Sequence, residues 1–153
     1  MDIFNLIEII VLTATLIIIW YFSFKQIKEL KNQIWINTFL NVTRRYQEII
    51  SKIPLKYYNE NLNFSEEELM RDMELFRSYF NLCSEEFILK ESGNIKEEIW
   101  EKWLKEMEKL ISFNSFREVW KLINKVAAYD NNFINFYNNL MINDPRNDQV
   151  ALN

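Results

Sequence analysis

No histidine occurs anywhere in the 153 residues. That absence removes the commonest general base near neutral pH, the commonest metal ligand, and the Ser-His and Cys-His nucleophile pairs. The single cysteine, Cys83, excludes an intrachain disulfide and suits a module facing a reducing compartment. One glycine, Gly93, excludes a glycine-rich phosphate loop. Two prolines, Pro54 and Pro145, and that one glycine are too few turn formers for an all-β fold. The inventory argues against an enzyme, and no cofactor or metal is expected.

What the chain does have is a long apolar run. Residues 3–24 read IFNLIEIIVLTATLIIIWYFSF, in which Asn5 and Glu8 stand among apolar and small hydroxyl residues. As a helix this run covers about 33 Å, enough for a hydrocarbon core of about 30 Å. A cleaved signal peptide fits less well. The N-terminus Met1-Asp2 has no basic residue, and Trp20-Tyr21-Phe22 stands where a cleavage site wants small side chains. The expectation is a transmembrane helix over 3–24. Lys25, Lys28 and Lys31 follow it directly and nothing positive precedes it, which predicts the N-terminus outside and the C-terminal domain cytoplasmic at the cell membrane. The sequons Asn41-Val42-Thr43 and Asn63-Phe64-Ser65 would then not be glycosylated.

Glu8 has two readings. A carboxylate inside a membrane span is a functional candidate for an ion path or a buried partner contact. It also lies only about 9 Å along the helix from Asp2, close enough to snorkel to the outer interface, and this reading is favoured. Thr13 and Thr15 could bond across helices, but no small-xxx-small pair marks a dimer seam.

The helical pattern continues past the span. Trp35, Phe39, Val42, Tyr46, Ile49 and Ile53 recur at spacings of four and three, after a shorter stripe of Ile27, Leu30 and Ile34. Pro54 ends the pattern, so a stalk helix is expected over 25–53, continuous with the span. Its basic face, with Arg44 and Arg45 added to the three lysines, suits a membrane surface. No aromatic-interleaved basic cluster points to nucleic acid. Residues 25–58 carry seven Lys/Arg against two Glu, and residues 59–111 carry fourteen Asp/Glu against seven Lys/Arg.

After a loop over 54–64, Ser65-Glu66-Glu67-Glu68 forms a capping box. A stripe of Leu69, Met73, Phe76, Phe80, Cys83 and Phe87 then predicts one helix to about Glu91, closed by Gly93. Asn94 is expected to cap the next helix, whose face holds Ile95, Ile99, Trp100, Trp103, Met107, Leu110 and Ile111. Ser115 and Glu118 read as another capping box, followed by Phe116, Val119, Trp120, Ile123 and Val126. Asp130 is expected to cap a last helix carrying Phe133, Phe136, Tyr137 and Leu140. The fold expected is all-α: an N-terminal transmembrane helix continuing into the stalk, and an antiparallel bundle of three to four further helices over 65–142 packed with the stalk. A flexible tail is expected over 143–153. The pairs Glu85-Glu86 and Glu97-Glu98 point about 100° apart on a helix and read as solvated faces rather than ion ligands. Cys83, on an apolar stripe, reads as packing.

The segments Arg77-Ser78-Tyr79-Phe80-Asn81-Leu82-Cys83-Ser84-Glu85-Glu86, Gly93-Asn94-Ile95, Trp100-Glu101-Lys102-Trp103 and Phe116-Arg117-Glu118-Val119-Trp120 together resemble an uncharacterised bacterial family. Its members are short proteins with one N-terminal transmembrane helix and a helical cytoplasmic domain. The likeness covers roughly 35–142. It implies architecture only and carries over no site residue. Two functions of different kinds stay open. One is a membrane-tethered module whose partner is another protein or a second copy. The other is a small membrane-active effector, of toxin or defence type, acting through Glu8 and the span.

Overall fold

The computed structural model describes residues 2–59 and 62–143. Among them there is no strand, and six α-helices and one short 3-10 turn account for the regular structure. Apart from Asn143, the expected tail over 143–153 lies outside the described residues.

Helix α1 runs Ile3–Ile50 without interruption, 48 residues, or about 72 Å. No glycine or proline breaks it, as its sequence predicts. The Thr13 and Thr15 hydroxyls donate back to the Ile9 and Val11 carbonyls at 2.7 and 2.8 Å, so neither polar side chain needs an outside partner. The helix ends at Ile50, three residues before the expected boundary. Ser51, Lys52 and Ile53 are already turn, with Ile53 buried ahead of Pro54. The chain divides into two compact units between Leu40 and Asn41, inside α1. The first unit is helix alone. The second, called the head here, includes the last turns of α1.

In the head, Leu55–Tyr58 form the 3-10 turn within the segment expected to be loop. Four helical regions follow, one of them divided: α2 (Glu66–Arg71), α3 (Met73–Glu91), α4 (Glu97–Ile111), α5 (Asn114–Ile123) and α6 (Asn131–Ile142). The Ser65 capping box forms as expected, its side chain accepting from the Glu68 N–H while the Glu68 carboxylate takes the Ser65 N–H. The helix it starts is interrupted at Asp72, whose Oδ2 accepts the Tyr57 hydroxyl at 2.7 Å.

Gly93 takes φ +68° and ends α3 in a Schellman motif: its N–H bonds the Lys90 carbonyl and the Asn94 N–H bonds the Leu89 carbonyl. Asn94 does not cap α4, which starts at Glu97 after Lys96; its side-chain amide donates to the Ser92 hydroxyl at 2.9 Å instead. Asp130 caps α6 through the Asn132 N–H at 2.8 Å, as expected. Ser115 is no cap. It lies one residue inside α5, buried, and donates to the Tyr57 carbonyl at 2.6 Å. Helix α5 ends at Ile123, so Val126 falls in the turn beyond it and is exposed rather than on the apolar face.

Helix α3 is central, packing against α2, α4 and α5, while α6 packs on α4. Apart from Ile95, which precedes α4 and is half-buried, and Val126, the stripes read from sequence on α4 and α5 are buried: Ile99, Trp100, Trp103, Met107, Leu110 and Ile111 on α4, with Phe116, Val119, Trp120 and Ile123 on α5. Trp120 sits at the middle of the core. Its ring lies 5.0 Å from Phe80 and 4.6 Å from Tyr137, and its indole N–H donates to the Asn138 side chain at 2.9 Å.

Candidate functional site

Two regions hold residues that their own environment does not explain as ordinary packing or ordinary surface. The first is the N-terminal half of α1. Apolar side chains point out all the way round the helix between Ile3 and Phe24, and every residue of that stretch is exposed. By length and composition it is the one helix among the described residues able to cross a membrane. A helix apolar on all sides has no stable place in water.

Glu8 projects from this stretch, exposed among Ile7, Ile9 and Ile10. Lys25, Lys28 and Lys31 are exposed immediately after it. Glu8 and Lys25 are separated by about 26 Å along the axis, so the helix does not bring the acid and the bases together. Trp20 stacks on Phe24 with centroids 6.0 Å apart, grouping the aromatics at the lysine end.

The second region lies inside the head, where α3 carries polar groups into the core. Glu85 and Glu86, both expected on solvated faces, part company. Glu85 forms a two-pronged ion pair with Arg45 of α1. The guanidinium Nη1 meets Oε2, and Nη2 meets Oε1 at 2.9 Å. The bond from Arg45 holds the Glu85 carboxyl below the usual range and raises the guanidinium in turn. Tyr46, on the next position of α1, donates to Glu106 of α4 at 3.0 Å.

Glu86, by contrast, is only 4 % exposed. Burial pushes its carboxyl up to about 8, the Glu85 charge adds to the rise, and Arg45 offsets part of it. At neutral pH it is therefore mostly a carboxylic acid. Close by are Cys83, one turn back, and the phenols of Tyr79 and Tyr137, all buried. Burial raises the Cys83 thiol well above its ordinary value, and the Glu86 charge raises it further. A thiol so placed is a poor nucleophile.

Tyr57 is the other residue that sequence reading passed over. Placed in a supposed loop, it is fully buried, with its ring 4.7 Å from Phe64 and 5.0 Å from Phe76. Its hydroxyl holds the α2–α3 junction at Asp72 and its carbonyl holds α5 through Ser115. Next to it in the chain, an open groove of about 530 Å³ is lined by residues 50–55 and Tyr58. No acid–base pair converges in that groove. Among the described residues, no group of three or more acids and cysteines is placed to hold a metal ion.

A signal for Glu86 did exist. Tyr79, Leu82 and Glu86 follow three-four spacing beside the Phe76–Phe80–Cys83–Phe87 stripe, as a helix buried on two adjoining faces requires. No signal in one sequence marks the partner of Ser115 or Tyr57.

Comparison of the chain with protein-family models, with curated proteins and with solved structures finds no match.

Proposed function

We propose that this chain is a single-pass membrane protein, with residues 3–24 crossing the bilayer, the N-terminus outside, and the head a protein-interaction module on the cytoplasmic side. The observation that carries the reading is an all-round apolar, fully exposed helical stretch of membrane length followed at once by Lys25, Lys28 and Lys31. The head's chemistry fits binding better than catalysis. Its buried acid and thiol sit in the core away from the groove, and its aromatics are used in packing.

Membrane fractionation with alkaline carbonate, followed by protease treatment of sealed vesicles, tests it. The chain is expected in the carbonate-resistant pellet, with the head cleaved only when the cytoplasmic face is open to protease. Release by carbonate overturns the anchor, and protection of a cytoplasmically probed head overturns the orientation.

One observation favours a second reading, a membrane-active effector. Glu8 is the only charged side chain between Ile3 and Phe24. On that reading Glu8→Gln abolishes a permeability or growth effect of expression. On the tether reading it changes neither.

A further inference from the structure

Beyond Phe24, α1 carries a second set of unaccompanied apolar side chains: Ile27, Leu30 and Ile34, which are 54 %, 57 % and 57 % exposed. At about 100° per residue the three fall within about 60° of arc, whereas Lys25, Lys28, Glu29 and Asn32 each lie about 125° or more from the middle of that arc. This is an amphipathic segment just outside the apolar stretch, and its apolar edge stands in the open. We propose that Ile27, Leu30 and Ile34 form the seam of a parallel, in-register dimer between two copies of this chain. The proposal rests on the membrane-anchor reading, because a bilayer holds two copies pointing the same way with their lysine ends level.

A second copy fits this edge for three reasons. The spacings of three and then four fix a single heptad frame, with Ile27 and Ile34 at a and Leu30 at d. Isoleucine at a with leucine at d is the combination that favours two parallel strands. Asn37 takes the next d position, so the apolar seam ends at Ile34. On the flanks, Gln26 would face Lys31 of the second copy and Gln33 would face Thr38. No like charges oppose one another along the seam.

So short a seam is weak between free chains in water. Confinement to one membrane restricts the copies to a thin layer and aligns their helix axes, which lowers the orientational cost of pairing.

Cysteine crosslinking of the full chain in native membranes tests the seam. Single Ile27→Cys, Leu30→Cys and Ile34→Cys variants are compared with Lys28→Cys and Asn32→Cys under a mild oxidant. The unsubstituted chain is the control, since its Cys83 is buried. The three seam positions are expected to give a disulfide dimer at least about five-fold faster than the two outer ones. Equal rates at all five positions, absence of dimer, or crosslinks only to a different protein overturn the proposal. Because Leu30 lies outside the head, Leu30→Asn in an otherwise unsubstituted chain gives an independent check, with dimer lost in chemical crosslinking and the head still folded; dimer retained overturns the proposal. Carbonate release of the chain would sink the anchor reading separately. A carbonate-resistant chain with no positional pattern overturns the seam and leaves the anchor standing, so the two failures are told apart.

Discussion

The N-terminal stretch of α1 and the core of the head are both strongly apolar, yet they are opposite in kind. From Ile3 to Phe24 the apolar residues occupy every direction around the helix and all are exposed. In α4 and α5 they occupy one face and are buried to the last atom or nearly so. Hydrophobic content alone does not separate the two. Periodicity does: an all-round pattern asks for apolar surroundings on every side, as a bilayer or a large protein core gives, and a three-four pattern asks for another helix on one side. The composition differs in placement. The first region is aliphatic in its middle, with Trp20, Tyr21, Phe22 and Phe24 at its end, while the head's core mixes aliphatic side chains with fully buried rings such as Trp120, Phe80 and Tyr137.

The sharpest contrast is a pair of truncations. Trp120→Ala should destabilise the head by about 3–5 kcal/mol, because it removes a fully buried ring and orphans Asn138. Leu16→Ala, in the exposed stretch, should leave head unfolding unchanged. Near-UV circular dichroism on the detergent-solubilised chain reads both, and a large effect of Leu16→Ala would erase the distinction drawn here.

Glu86 offers the next largest effect and a sign that can be worked out. Its carboxyl is raised in the folded head to about 8, so between its ordinary value near 4.5 and about 8 the folded chain holds a proton that the unfolded chain has lost. Stability attributable to this group therefore falls as pH rises through that window, by up to about 1.4 kcal/mol per pH unit, and levels off above it. Glu86→Gln, which keeps the shape and cannot ionise, should flatten that slope and be more stable than the parent at pH 8. A parent melting temperature that rises steadily from pH 5 to 8, with Glu86→Gln parallel to it, would contradict the assignment.

Smaller effects separate the backbone devices. Ser115→Ala leaves the Tyr57 carbonyl without its buried donor and should cost about 1–2 kcal/mol in denaturant titration. Gly93→Ala meets no atom within 4 Å, so its cost is conformational only, about 1 kcal/mol. Arg45→Met removes the Glu85 ion pair, but both side chains are more than a third exposed, and a loss under about 1 kcal/mol is expected.

Local rules made part of the molecule legible in advance. The uninterrupted α1, the Ser65 box, the Gly93 terminus, the Asp130 cap and the buried faces of α4 and α5 each depend on neighbours within one or two helical turns. What stayed hidden depends on contacts across the fold. Ser115 satisfies the capping pattern as well as Ser65 does, but its hydroxyl was claimed by a carbonyl 58 positions away. Asn94 bonds the Ser92 hydroxyl instead of capping α4. Asp72 interrupts a run that reads as one helix because Tyr57 reaches it from the preceding turn. Glu8 and the three lysines are exposed, as is every described residue up to Ile34, while Glu86 read as surface because carboxylates usually are.

The buried Glu86 carboxyl also alters how the protein should be counted in solution. The formal charge of −4 treats that side chain as ionised. Protonated at pH 7, it leaves the folded chain about one unit less negative, so the head takes up a proton from the buffer as it folds. Calorimetric unfolding at neutral pH should accordingly report an enthalpy that changes with the buffer's own ionisation heat, and the same measurement on Glu86→Gln should not.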